Sequence, residues 1–211
     1  MQYPIALDVK SELVLPDGNT VWSIVDRGGF TPVWTIVGMK LGFEDVARLT
    51  PVEGLILELG VAGGDSLRNL ARVFPGRVVY GFDSWEGLPH DWEEGDRRGS
   101  FACAKPEGLA AAVVLVAGRF SVSLEPFLAG HVESVAMVHI DSDLYCSCAF
   151  VLDCIADRLV RGSVVMFDEI SQAPHLTGER RAWVRHRRAR ADQNWELVGK
   201  QHAFGEVWRR L

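Results

Sequence analysis

Five short stretches of this chain are apolar at nearly every position: residues 54–59 (GLILEL), 77–82 (RVVYGF), 111–117 (AAVVLVA), 135–140 (VAMVHI) and 162–167 (GSVVMF). A strand with one face in water alternates apolar and polar residues, whereas one apolar on both faces has to be covered on both. The connections between the stretches are long enough for crossover helices, and residues 66–74 and 144–159 carry apolar side chains at helical spacing. These patterns predict an α/β fold of repeated β-α units, with helices on both faces of a parallel sheet. The tail departs from it. Residues 195–199 and 205–208 read as strands joined by a connection too short for a helix, so they are expected to form an antiparallel hairpin. Residues 43–49 read as a short amphipathic helix, with strands around 21–25 and 33–37 before it. The chain shows no repeat, low-complexity tract or long linker, so it is expected to be one domain, 1–211: a core of 53–211 preceded by an extension on the substrate side, 1–50.

Composition narrows the function classes. With 48% hydrophobic and 24% charged residues, the chain can bury a core and is not of the disordered type. Its 22 basic and 28 acidic residues give a net charge of −6, which disfavours non-specific binding to nucleic acid or an anionic membrane. The longest purely apolar run, residues 109–117, is far short of the roughly 18–20 residues of a membrane-spanning helix. The segment MQYPIALDVK lacks a basic stretch followed by an apolar one, so no signal peptide is expected. Cys103, Cys146, Cys148 and Cys154 include no C-x-x-C pair; a zinc site is not expected, and a reducing, cytoplasmic location is.

The strongest local signal is the turn Glu58-Leu59-Gly60-Val61-Ala62-Gly63-Gly64-Asp65-Ser66, where a strand ends on glycines and a helix begins. Glycines allow close backbone approach to a ligand, and the helix start presents free N–H groups. A dinucleotide site would carry G-x-G-x-x-G, but here Glu58 holds the position two before Gly60. A carboxylate there repels a pyrophosphate and suits a ligand with a positive charge and an amino group, as in S-adenosylmethionine with its sulfonium and α-ammonium. Asp83 closes the second strand, 25 residues after Glu58, where an acid in nucleoside-binding α/β folds accepts ribose hydroxyls. Phe120 follows the third strand and has two readings, a face for adenine or a core residue.

His139-Ile140-Asp141-Ser142-Asp143-Leu144-Tyr145 ends the fourth strand and Phe167-Asp168-Glu169-Ile170 the fifth. Strand carboxyl ends face the ligand crevice in such sheets, so Asp141, Asp168 and Glu169 are expected to converge. Neighbouring carboxylates repel unless protons or a cation hold them, and an all-oxygen set suits a hard ion such as Mg²⁺. The plainer alternative is that Asp141 and Asp168 cap the following helices. Asp143 reads as a cap or first-turn residue rather than a ligand.

Taken together these motifs resemble the macrocin O-methyltransferase type, metal- and S-adenosylmethionine-dependent enzymes that methylate sugar hydroxyls. The resemblance rests on Glu58-x-Gly60-Val61-x-x-Gly64-x-Ser66, Asp83-Ser84-Trp85-Glu86-Gly87-Leu88-Pro89, the His139–Tyr145 string and Phe167-Asp168-Glu169, and covers roughly residues 53–170. Asp65, Ser142 and Glu169 depart from it, standing where glycine, glycine and aspartate are usual. It implies a class I methyltransferase (Rossmann-like) fold, a mostly parallel seven-stranded sheet. It implies that Glu58, Gly60, Gly64, Ser66, Asp83 and Ser84 hold the cofactor, and that Asp141, Asp168 and Glu169 bind Mg²⁺. Phe120 and Asp141 are placed beside the cofactor as well.

For transfer to a hydroxyl, a base has to take the proton. The resemblance makes Asp168 the first candidate, with His139, on the same strand face as Asp141, and His175 as alternatives; His139 also reads as a hydrogen-bonded core residue. Residues 85–100 (WEGLPHDWEEGDRRGS) read either as a lid or as a solvated connection. Residues 179–192 hold six arginines against two acids, either a site for an anionic substrate or a solvated helix face. The expected partners are a hydroxylated small molecule and, in an assembly, further copies of the chain; membranes and nucleic acids are not. Competing readings are a phenol- or catechol-type methyltransferase, the cephalosporin-hydroxylase-associated group, and a non-catalytic cofactor-binding partner protein. Glu58 argues against a dinucleotide oxidoreductase.

Overall fold

The computed structural model describes residues 7–14, 19–26, 32–92, 95–171 and 178–211. The central, fully buried strands are β4 (Leu55–Leu59) and β7 (Val135–Ile140), flanked by β5 (Val79–Asp83), β6 (Val113–Ala117) and β8 (Leu159–Phe167). The tail supplies β9 (Trp195–Gly199) and β10 (Glu206–Arg210). They form one seven-stranded sheet in the order β6-β5-β4-β7-β8-β10-β9. The first five strands are parallel, and β10 runs antiparallel to both β8 and β9, as the short connection requires. The expected α/β class, with its terminal antiparallel hairpin, is what the chain adopts.

Both sheet faces are covered, which explains the unbroken apolar runs. Leu57, Leu59, Phe82, Val138, Ile140 and Phe167 pack with α3 (Phe120–Ala129), α4 (Tyr145–Ile155) and Trp183 of α5 (Gly178–Ala189). On the other face Ile56, Val79, Met137, Val164 and Met166 meet Val46 of α1 (Phe43–Leu49) and Leu67 and Leu70 of α2 (Asp65–Val73). Trp183 stacks on His186, with centroids 5.4 Å apart, and meets Trp195 and Trp208 edge-on, locking α5 onto the terminal hairpin.

Two expectations are corrected. Between β5 and β6 the described residues form no helix; Gly87, Pro89, Gly95, Gly99, Pro106 and Gly108 interrupt every helical register there. The helix expected over 144–159 stops at Ile155, and a single 3₁₀ turn, Ala156–Arg158, leads into β8, so Leu159 belongs to the strand. Before the core, β1 (Leu7–Val14), β2 (Asn19–Asp26) and β3 (Pro32–Met39) make a three-stranded antiparallel sheet. β2 and β3 contain the expected strands; β1 was not anticipated. From β3 the chain runs beside the end of β9, where Lys200 donates to the Met39 carbonyl and Leu41 to the Lys200 carbonyl, both at 2.7 Å.

Candidate active site

The glycine turn closes β4. Gly60 has φ +99°, and a Cβ there would stand 1.8 Å from the Asp141 carbonyl oxygen, so only glycine lets the ends of β4 and β7 lie this close. The Val61 and Ala62 N–H groups both donate to Asp83 Oδ2 at 2.8 Å, and the Trp85 N–H donates to Oδ1 at 2.7 Å. Asp83 thus ties the turn after β4 to the turn after β5. With about four acceptor positions on a carboxylate, three are taken by backbone, and one remains on Oδ1 for a ligand hydroxyl. Gly64, at φ +84°, is the N-cap of α2 and packs under Pro106.

A cavity of about 300 Å³ opens over these strand ends, at the low end of the ~300–1,000 Å³ usual for small-molecule sites. Gly60, Ala62, Asp83, Ser84, Arg119 and Phe120 line it together with Asp141, Ser142, Asp143, Ser147 and Glu169. Phe120 both lines the cavity and packs against the core. Leu88, Trp92 and Phe101 complete the wall. The connection after β5 folds back to place them: the Leu88 N–H donates to the Ser100 carbonyl and the Gly99 N–H to the Leu88 carbonyl, both at 2.9 Å. Gly87, Leu88, Pro89 and Trp92 of that segment line the cavity, while Glu86, His90, Asp91, Arg97 and Arg98 are exposed to solvent.

Several expected site residues stand elsewhere. Glu58 is fully buried and off the cavity wall, because β4 pairs with β7 in the register Glu58↔His139 and the Glu58 Oε1–His139 Nδ1 distance is 2.9 Å. The partner that Glu58 meets is a histidine on the next strand. Gly64 and Ser66 also lie off the wall; they start α2 behind it. His139 is buried with its Nε2 facing Asp168 Oδ1 at 3.9 Å, beyond hydrogen-bond reach. Burial opposes its protonation, but the Glu58 hydrogen bond and the charges of Glu58, Asp141 and Asp168 hold its pKa above the ordinary value. Asp168 stands behind the wall, with His202 Nε2 3.1 Å from its Oδ1. Burial works to raise its pKa, yet the His202 bond and the neighbouring His139 and His202 bring it below the ordinary value. His175 lies outside the described residues.

The carboxylates meet only in part. Asp141 is pushed up to about 8, first by burial and then by the charge of Asp168. That mutual repulsion, in an all-oxygen donor set, is the chemistry a hard divalent cation relieves, so in donor type Asp141, Asp168 and Glu169 fit such an ion. The expected convergence of all three is not seen: among the described residues no three His, Cys, Asp or Glu side chains are placed to hold one metal. Asp168 is turned to His202, and the Glu169 N–H is held by Glu179.

Two residues escaped sequence reasoning. Asp143, read there as a cap, lines the cavity from a left-handed backbone conformation (φ +56°), which Asp tolerates better than most residues. Burial and the charges of Asp168 and Asp96 push its pKa up to about 7. Glu179, counted there only as a charge in a basic stretch, is fully buried and accepts the Ser142 and Glu169 N–H groups at 3.1 and 3.3 Å, joining the turns after β7 and β8. Four of the five arginines of α5 are engaged within the protein: Arg180 with Glu206 at 2.7 Å, Arg185 with Asp153 at 2.9 Å, and Arg181 and Arg187 over the rings of Tyr145 and Trp208.

Residues 57–170 match a family model described as a methyltransferase domain; the chain belongs to that family. No curated protein matches. Among solved structures, CalS11, described as a calicheamicin methyltransferase, is 22% identical, with TM-score 0.60 over 79% of this chain and 76% of that one. The O-methyltransferase NovP is 23% identical, with TM-score 0.61 over 80% and 78%. An O-methyltransferase from Bacillus cereus, solved with SAH, is 15% identical, with TM-score 0.52 over 80% and 78%. These likenesses establish a shared class I methyltransferase fold.

Proposed function

We propose that the chain transfers the methyl group of S-adenosylmethionine to a hydroxyl of a small molecule, a sugar or another natural-product acceptor. The observation that carries this is one cavity lined both by nucleoside-type residues (Gly60, Asp83, Phe120) and by carboxylates (Asp141, Asp143, Glu169). A positive sulfonium is stabilised between the acids, and methyl transfer then depends mainly on aligning acceptor oxygen, methyl carbon and sulfur. Asp143, which lines the cavity, is assigned here the task of taking the hydroxyl proton, since Asp168 and His139 do not line it. Leu88, Trp92 and Phe101 shield the reacting centre from water and give an acceptor an aromatic surface. In donor type Asp141, Asp168 and Glu169 would suit magnesium, which would supply Lewis acidity toward the acceptor hydroxyl, although the three do not converge in this structure. CalS11, described as a TDP-rhamnose 3'-O-methyltransferase, has the same fold and supports a sugar-type acceptor.

The test is a methyl-transfer screen over hydroxylated acceptors with labelled S-adenosylmethionine, run with Mg²⁺ and with chelator. Turnover that Asp143→Asn and Asp141→Asn abolish, with cofactor binding largely kept, is the expected result. Cofactor binding without turnover on any acceptor would point instead to a cofactor-binding partner protein. Chelator-insensitive turnover would remove magnesium and leave the transfer standing.

A further inference from the structure

His202 lies in the turn between β9 and β10, which folds over the loop that ends β8. Both of its ring nitrogens are engaged. The Phe204 N–H donates to Nδ1 at 3.3 Å, which makes Nδ1 the acceptor; Nε2 then carries the hydrogen and donates it to Asp168 Oδ1 at 3.1 Å. The turn is pinned over the end of β8 by the register Glu206↔Phe167 and by the Ser171 N–H donating to the Phe204 carbonyl at 2.8 Å. Gly205 makes the approach possible: a Cβ there would stand 3.0 Å from the Phe167 carbonyl oxygen, 3.1 Å from His202 Nε2 and 3.2 Å from the Asp168 carbonyl oxygen. Beneath the turn, Glu206 receives Arg180 at 2.7 Å and lies against Lys200 and Ser171, so the hairpin is anchored where it meets the Asp168–Ser171 turn. Asp168 in turn adjoins the cavity: its N–H donates to the Ile140 carbonyl at 3.0 Å, next to Asp141, and the following residue, Glu169, lines the cavity with Asp141 and Asp143.

We propose that His202 is a positioning residue: its Nε2–H fixes the direction of the Asp168 carboxylate behind the carboxylate wall, which makes the terminal hairpin part of the methyl-transfer machinery. This rests on the methyl-transfer reading of the site.

Two substitutions separate this role from bracing the turn. Gln places an N–H donor near the Nε2 position, whereas Asn replaces only the Nδ1 acceptor that receives Phe204. With an acceptor from the screen, His202→Ala and His202→Asn should lower kcat about 10–100-fold, the usual scale for residues that orient a ligating or catalytic carboxylate, with KM for S-adenosylmethionine unchanged. His202→Gln should restore kcat to within about threefold of the wild type on the same scale. Rescue by Asn and not by Gln, or three unchanged variants, would overturn the role. A second readout needs no turnover: in ¹⁵N-histidine-labelled protein at about pH 8, where a free imidazole is neutral, His202 should give one Nε2-protonated form that shifts in Asp168→Ala. A ring averaging over both tautomers and indifferent to Asp168→Ala contradicts the proposal, even if no acceptor is ever turned over.

Discussion

The pair Glu58–His139 decides whether the acid before the glycine turn serves the ligand or the core. Both side chains are buried, 2.9 Å apart, on adjacent central strands. Removing one partner of such a pair leaves the other charge uncompensated and costs about 3–5 kcal/mol, whereas replacing both with apolar groups is often close to neutral. His139→Ala is therefore expected to destabilise the protein by about 3–5 kcal/mol, a fall in Tm of about 6–20 °C for a chain of this size. Glu58→Leu combined with His139→Leu should recover most of that loss, a coupling that a double-mutant cycle in urea would measure. The same proteins should be titrated with S-adenosylmethionine in a calorimeter, where the folded double variant is expected to keep most of its affinity. If instead Glu58→Leu unfolds like the wild type and loses the cofactor, Glu58 faces the ligand and its placement behind the wall is wrong.

Gly60→Ala forces a Cβ to 1.8 Å from the Asp141 carbonyl oxygen at a positive φ, so it should cost several kcal/mol in a denaturation curve and abolish cofactor binding. Asp83→Asn puts an amide where three backbone N–H groups converge; with only one acceptor oxygen left, stability should fall by about 1–3 kcal/mol and cofactor affinity with it. His186 is buried against Trp183, and burial holds its pKa below the ordinary 6.5 despite Gln193. The unfolded chain then takes up this proton first, so stability is whole above the ordinary value and declines as pH falls from there toward the lower folded one. His186→Gln should flatten that part of the pH–stability curve, while an unchanged slope would assign it to another group.

The sheet could be read from the sequence because its strands are buried on both faces, and nothing but a covered parallel sheet accommodates VAMVHI or GLILEL at such spacing. The first strand of the amino-terminal sheet was harder: its pairing shifts register between Val9 and Ser11, so the period-two alternation that marks a strand is interrupted. At the site, the motifs named the right turns but not the direction of each side chain. Glu58 has the right chemistry for a cationic ligand, yet strand parity and the register opposite His139 turn it into the core. Asp143 and Glu179 carry no periodic signal; one is exposed to the cavity by a left-handed residue after β7, the other brought in by a helix from beyond β8. His202 depends on how far a hairpin reaches over its neighbour, which only the packing of Gly205 against Phe167 decides.

The most direct check is a crystal structure with S-adenosylhomocysteine bound. Adenine against Phe120, a ribose hydroxyl at Asp83 Oδ1 and the sulfur directed toward Asp141 and Asp143 is the expected density. A ligand seated elsewhere, or a protein that binds none at millimolar concentration, would contradict methyl transfer at this cavity.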